Sequence, residues 1–208
     1  STIRGRDVVI NTGIYGLNLS NGSQADIVGG SINITTQAGA GSAESGSTMN
    51  LESLTVTSLG RGLSATGPGS LLSIKNSTIA AGGEALAIGN GASLVIDHVK
   101  ASSDGSYSGA GGYGLSMSGG TAVVSNSELS GTSTGVQMSA GTLQMSNSTV
   151  TSSRTGLIMS APSGGAAPAP IASVSNSEIQ GITGVVVGSG AELTVQATTI
   201  RGIGTSGA

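Results

Sequence analysis

Four stretches of this chain are copies of one another: Leu72-Ser-Ile74-Lys-Asn76-Ser-Thr-Ile79, Ala122-Val-Val124-Ser-Asn126-Ser-Glu-Leu129, Leu143-Gln-Met145-Ser-Asn147-Ser-Thr-Val150 and Ala172-Ser-Val174-Ser-Asn176-Ser-Glu-Ile179. Each reads apolar-x-apolar-x-Asn-Ser-x-apolar. Weaker copies are Met49-Asn-Leu51-Glu-Ser53-Leu-Thr-Val56 and Leu193-Thr-Val195-Gln-Ala197-Thr-Thr-Ile200. A self-similar period of roughly 20 to 50 residues belongs to chains of stacked units, each too small to bury its apolar face alone.

With the Asn position as register mark, the repeats fall at Gly29, Ser53, Asn76, His98, Asn126, Asn147, Asn176 and Ala197, in steps of 24, 23, 22, 28, 21, 29 and 21 residues. A second motif, Gly-apolar-x-apolar, runs between them at Gly16-Leu17, Gly62-Leu63, Gly114-Leu115, Gly135-Val136, Gly156-Leu157 and Gly184-Val185, and Ala85-Leu86 repeats it with Ala for Gly. Alternation at period two marks short strands with one buried face, and no window carries a capped helical period. Each coil is therefore expected to hold two or three strands of about three residues, divided by Gly, Ser and Asn corners.

Leucine-rich and helical repeats lack their helix here, and the left-handed hexapeptide helix tolerates little variation between corners. The expectation is an all-β chain, a right-handed parallel β-helix of about nine coils forming a rod some 40 Å long at the usual strand spacing. Equivalent residues should pile into columns. Leu17, Leu63, Leu86, Leu115, Val136, Leu157 and Val185 make one. Ile27, Leu51, Ile74, Ile96, Val124, Met145, Val174 and Val195 make a second. Ile32, Val56, Ile79, Leu129, Val150, Ile179 and Ile200 make a third, with Ile3 as its first member.

Composition agrees with a thin aliphatic core. Glycine supplies 37 of 208 residues, charged residues are 8 %, and Phe, Trp and Cys are absent. Zero cysteine excludes a disulfide scaffold and a thiolate metal site. Net charge −3 with seven scattered Lys and Arg excludes a nucleic-acid partner, which requires a basic patch. No run approaches the roughly 18 apolar residues of a membrane span. Two coils are long, with inserts at 102–112 and 161–170, and surface loops are the usual carriers of function. The candidate binding residues are therefore Asp104, Tyr107, Tyr113, Pro162, Pro168 and Pro170.

Irregular coils, Gly-Ser-Asn corners, no cysteine and a Pro-Gly-Ala insert together resemble the β-helical passenger of a bacterial autotransporter, of the pertactin type. Gly91-Ala-Ser-Leu-Val-Ile96, Gly190-Ala-Glu-Leu-Thr-Val195 and Ser1-Thr-Ile-Arg-Gly5 carry the likeness. The resemblance implies secretion, display on the bacterial surface, and adhesion to a host surface protein or glycan or association between rods. It also implies membrane attachment only through a C-terminal barrel that this chain lacks, and a place within a longer passenger. Arg4-Gly5-Arg6-Asp7 interrupts the Arg-Gly-Asp tripeptide of such proteins, so integrin binding is not carried over.

Residues that could do chemistry are few. Asn76, Asn126, Asn147 and Asn176, with His98 in the same slot, read as a structural corner ladder whose amides bond along the axis and whose residues tolerate left-handed φ. As a buried ladder it is a poor glycan acceptor, although Asn76 and Asn147 fit Asn-x-Thr. Asp97 adjoins His98, yet strand neighbours point to opposite faces. Glu52, Lys75 and Asp97 share one outward position on successive coils, and Lys100 lies beneath Glu128. The carboxylates of Glu52 and Asp97 approach the spacing of a glycosidase pair, about 5–9.5 Å, but Lys75 separates them. The reading is a non-enzymatic rod without cofactor or metal; the alternative is a carbohydrate-binding or carbohydrate-active β-helix. An ice-binding array is excluded by the charges interrupting the column Thr55, Thr78, Lys100, Glu128, Thr149, Glu178, Thr199.

Overall fold

The computed structural model describes residues 1–109, 111–161 and 168–204. Among these there are 22 strands and no helix, and every strand pairs in parallel with its equivalent in the next turn. The chain is a parallel β-solenoid of about 9 turns. Each strand gains backbone hydrogen bonds only from the coils on either side, so the lateral ladder that satisfies the polar backbone also builds the rod.

Three faces enclose the core. The first is made by Leu17–Leu19, Gly41–Glu44, Leu63–Thr66, Leu86–Gly89, Thr155–Met159 and Thr183–Val187, together with the opening halves of Tyr113–Ser125 and Thr134–Ser146. The second carries Thr48–Glu52, Leu71–Lys75, Ser93–Asp97, Ile171–Ser175 and Glu192–Gln196, with the closing halves of those two long strands. The third carries Thr55–Ser58, Thr78–Ala81, Lys100–Ser103, Glu128–Gly131, Thr149–Ser152, Glu178–Gly181 and Thr199–Gly202. Thr2–Thr12 and Gln24–Ile34 pass from the second face to the third without a break.

Four strands of 11 to 13 residues exceed the short segments expected. They run round a corner at a residue of positive φ, Asp7 in Thr2–Thr12 and glycine in the other three. Gly29 and Gly30 have φ of 75° and 101°, and a Cβ on Gly30 would collide with the Val8 backbone of the preceding coil.

The columns stand as read, with three corrections. The register Leu63, Leu86, Leu115, Val136, Leu157, Val185 is continuous, but Gly41 lies between Leu17 and Leu63. Leu63 Cδ2 and the Met49 methyl close in on that gap, 3.2 and 3.5 Å from where a Cβ of Gly41 would sit. Ile3 pairs with Ala25, so it belongs to the column of Met49, Leu72 and Leu94; the third column begins at Ile10. Ala101 bridges Ile79 and Leu129 in that column. At Gly41 and Ala101 the slot holds a residue too small to stand out as apolar in the sequence.

Leu72, Leu86, Leu94, Leu115 and Leu143 are completely buried. Each such side chain contributes about 1.5–3 kcal/mol by leaving water. The tyrosines lie outside this core, and its widest members are Met, Leu and Ile. Leu94 and Val95 sit on one strand facing opposite ways, 0 % and 37 % exposed. Leu94→Ala is expected to cost about 2–5 kcal/mol in urea unfolding, whereas Val95→Ala should stay within about 1 kcal/mol.

Candidate functional site

The corner between the second and third faces places one residue per coil in the left-handed region. Asp7, Gly29, Ser53, Asn76, His98, Asn126, Asn147, Asn176 and Ala197 all occupy it, with φ between 47° and 75°. Asn is frequent there because its short polar side chain lessens the steric cost of positive φ. The ladder is not buried as expected: Asn76, His98, Asn126, Asn147 and Asn176 are all exposed. Nor do the amides bond to one another. Among the described residues only Asn126 of the four uses its side chain within the chain, donating from Nδ2 to Asp97 Oδ1 at 2.7 Å.

The axial hydrogen bonds belong to the neighbouring serines, which the sequence reading passed over. Ser127 Oγ donates to Ser125 O at 2.6 Å and accepts the Val99 amide at 3.1 Å. Ser148 Oγ donates to Ser146 O and accepts the Ser127 amide; Ser177 Oγ donates to Ser175 O and accepts the Ser148 amide. Ser77 binds the Leu54 amide and the Lys75 carbonyl in the same way. These hydroxyls are buried, so each one satisfies backbone groups that the turn would otherwise orphan. The Asn-Ser pair in the repeat is thus a division of labour: Asn accepts the turn and Ser closes it.

His98 and Asp97 do meet. Left-handed φ at His98 turns its ring back alongside Asp97, and Nδ1 lies 3.1 Å from Asp97 Oδ1. Alternation of strand neighbours fails here because His98 has already left the strand. Ser125 Oγ also donates to Asp97 Oδ1 at 3.0 Å, and these donors hold the carboxyl below its ordinary value, Asn126 foremost and His98 next. Lys100 Nζ pairs with Glu128 Oε2 at 3.0 Å. Glu52, Lys75 and Asp97 share a column as read, but among the described residues no ion pair joins Lys75 to either acid. A groove of about 370 Å³ runs along this corner, lined by Asn76, His98 and Asn126 on one side and Thr78, Lys100 and Glu128 on the other.

A second polar cluster lies on the second face. Asp26 accepts from Asn50 Nδ2 at 2.7 Å and Gln24 Nε2 at 2.9 Å, with Arg4 Nε 3.5 Å away. Asn50 and then Gln24 pull its carboxyl down. Arg4, Asp26 and Asn50 are one column, a register hidden in the sequence because no motif marks it.

Of the loop residues, Asp104 is exposed, and Tyr107 and Tyr113 are half-buried. Asp104 Oδ1 accepts the Ser106 amide at 2.8 Å, and the two Ser106 hydrogen bonds lower its carboxyl. Tyr107 folds over Gly109 and Tyr113 over Gly111, where a side chain would have to displace the ring. Pro162 lies outside the described residues. Pro168 is exposed, but Pro170 is buried and its carbonyl accepts the Glu192 amide at 3.0 Å. Pro170 therefore seats the following strand and is not displayed. Among the described residues no three of His, Asp and Glu gather closely enough to hold a metal ion. No family model, curated protein or solved structure matches this chain.

Two outcomes follow from this corner. Ser148→Ala leaves the Ser127 amide without its acceptor and is expected to cost about 1–3 kcal/mol in chemical unfolding. The Asp97 carboxylate is favoured by the fold, so its stabilising effect is full above 3.8 and is lost as pH falls through its lower folded value. A carbon-detected NMR titration should place the Asp97 midpoint below 3.8, and Asn126→Ala should move it upward.

Proposed function

We propose that this chain is a non-enzymatic binding rod, a β-helical passenger of the autotransporter kind displayed outside the bacterial cell. In this reading it attaches its bearer to a host surface protein or glycan, or to a neighbouring rod, and any membrane anchor is a separate barrel. The observation that carries the reading is how the insert after Ser103 is held. Asp104 N donates to Ala81 O at 3.1 Å and Tyr107 N to Gly82 O at 3.0 Å, so the loop is pinned on the preceding coil. With Tyr113 N bonded to Gly111 O at 2.9 Å, its two rings are supported on glycine backbone.

An insert tethered in this manner loses little conformational freedom on binding, which favours a recognition surface over a slack linker. Tyrosine adds a large amphipathic face at low entropic cost. The Asp97–His98 contact offers a hydrolytic reading, but its groove is open, and an acid–base step needs a partner positioned across the substrate.

The test is replacement of residues 104–112 by a short Gly-Ser corner. The far-UV β signal should persist, since the columns continue on both sides of the insert, while binding on an array of matrix proteins and glycans falls. Unchanged binding would reject the loop as the attachment surface. Release of reducing ends from polysaccharides by the intact chain would reject the non-enzymatic reading.

A further inference from the structure

The corner between the second and third faces holds more exposed hydrogen-bonding capacity than a turn requires. Ser53, Asn76, His98, Asn126, Asn147 and Asn176 occupy it on consecutive coils, with φ from 47° to 58°, so their side chains leave the backbone in the same direction. Thr55, Thr78, Lys100, Glu128, Thr149 and Glu178 form a parallel row in continuous register. Between the rows lies a floor of buried residues, Ser77, Val99 and Ser127 among them. The groove of about 370 Å³ is the part of this channel that spans Asn76, His98 and Asn126.

The polar groups in it are largely unspent. Among the described residues the side-chain amides of Asn76, Asn147 and Asn176 make no hydrogen bond within the chain. Asn126 uses only Nδ2, leaving its carbonyl oxygen, and His98 turns Nδ1 to Asp97, leaving Nε2. An amide presents donor and acceptor side by side, and here that pair recurs at the coil spacing of about 4.8 Å. Lys100 is neutralised by Glu128 and Asp97 adds a negative charge, so the channel does not favour a polyanion. Its one apolar lining residue, Val99, is buried in the floor, so a protein partner finds no pocket for the aromatic or aliphatic anchor that such interfaces depend on.

We infer that this channel binds a linear, uncharged glycan lying parallel to the rod axis, with successive sugar residues meeting successive coils. A coil spacing comparable to the length of one pyranose lets each sugar present its hydroxyls to one corner residue and one residue of the parallel row. Individually weak contacts then add along the chain. The inference rests on the binding reading above, but on a different surface from the pinned loop.

Isothermal titration of the full chain with cellohexaose, xylohexaose and mannohexaose, and with the matching disaccharides, tests it. At least one hexasaccharide should bind about tenfold or more tightly than its disaccharide, because it spans more coils. The triple variant Asn76→Gly, His98→Gly, Asn126→Gly should lose about tenfold or more in that affinity while keeping the far-UV β signal of the folded rod, because glycine accepts left-handed φ. Replacing 104–112 should leave it intact. Absence of binding by all three hexasaccharides, equal affinity for hexa- and disaccharide, or unchanged binding by the glycine variant would overturn the channel. Loss on loop replacement alone would also overturn it, yet would leave the surface-binding reading standing.

Discussion

Everything in this molecule depends on each coil lying in register over the one before it. Parallel strands in a solenoid have no hairpin partner; their amides and carbonyls are satisfied only by neighbouring coils. A slip of one residue would exchange the buried and exposed sets on a strand. The corner between the second and third faces guards against that slip. A residue held at φ near 50° in coil after coil ends the second-face strand at the same point each time, and a buried serine bonds that point to the next coil.

That arrangement separates shape from surface. Columns of Leu, Ile, Val and Met account for cohesion, and outward positions are free to be Ser, Thr, Asn or charged without disturbing the core. Some of the charges that do appear pair with neighbours one coil away, as in Lys100 with Glu128, Arg201 with Glu178 and Arg61 with Glu84. Exposed pairs of this sort contribute only about 0–1 kcal/mol each, so they tune register more than they stabilise it. A rod built this way offers long, repetitive surfaces in place of a deep pocket, which is why the functional proposals concern a pinned loop and an axial channel.

Legibility followed the size of the side chain. Where a slot held Leu, Ile, Val or Met, the column could be drawn from spacing alone, as for Leu115, Val136 and Leu157. Where it held Gly41 or Ala101, the column broke on paper, because small residues carry no apolar signal; at Gly41 the Leu63 and Met49 side chains close in on the gap. The Asn corner was visible as a motif but its chemistry was divided wrongly. The conspicuous Asn residues face water, and the unremarkable Ser after each makes the axial bonds. His98 and Asp97 were set apart by the strand rule, which lapses once φ turns positive.

Period, apolar alternation and corner composition determined by themselves that the chain is a stacked parallel β-helix, since those features report which residues must leave water and where the backbone must turn. Tertiary structure alone decided which side chains share a groove, which hydroxyls close the turns and how the insert after Ser103 is tied down. Those relations join residues some 20 to 30 positions apart. They depend on three-dimensional directions of bonds at positive-φ corners, which the order of residues along the chain does not specify.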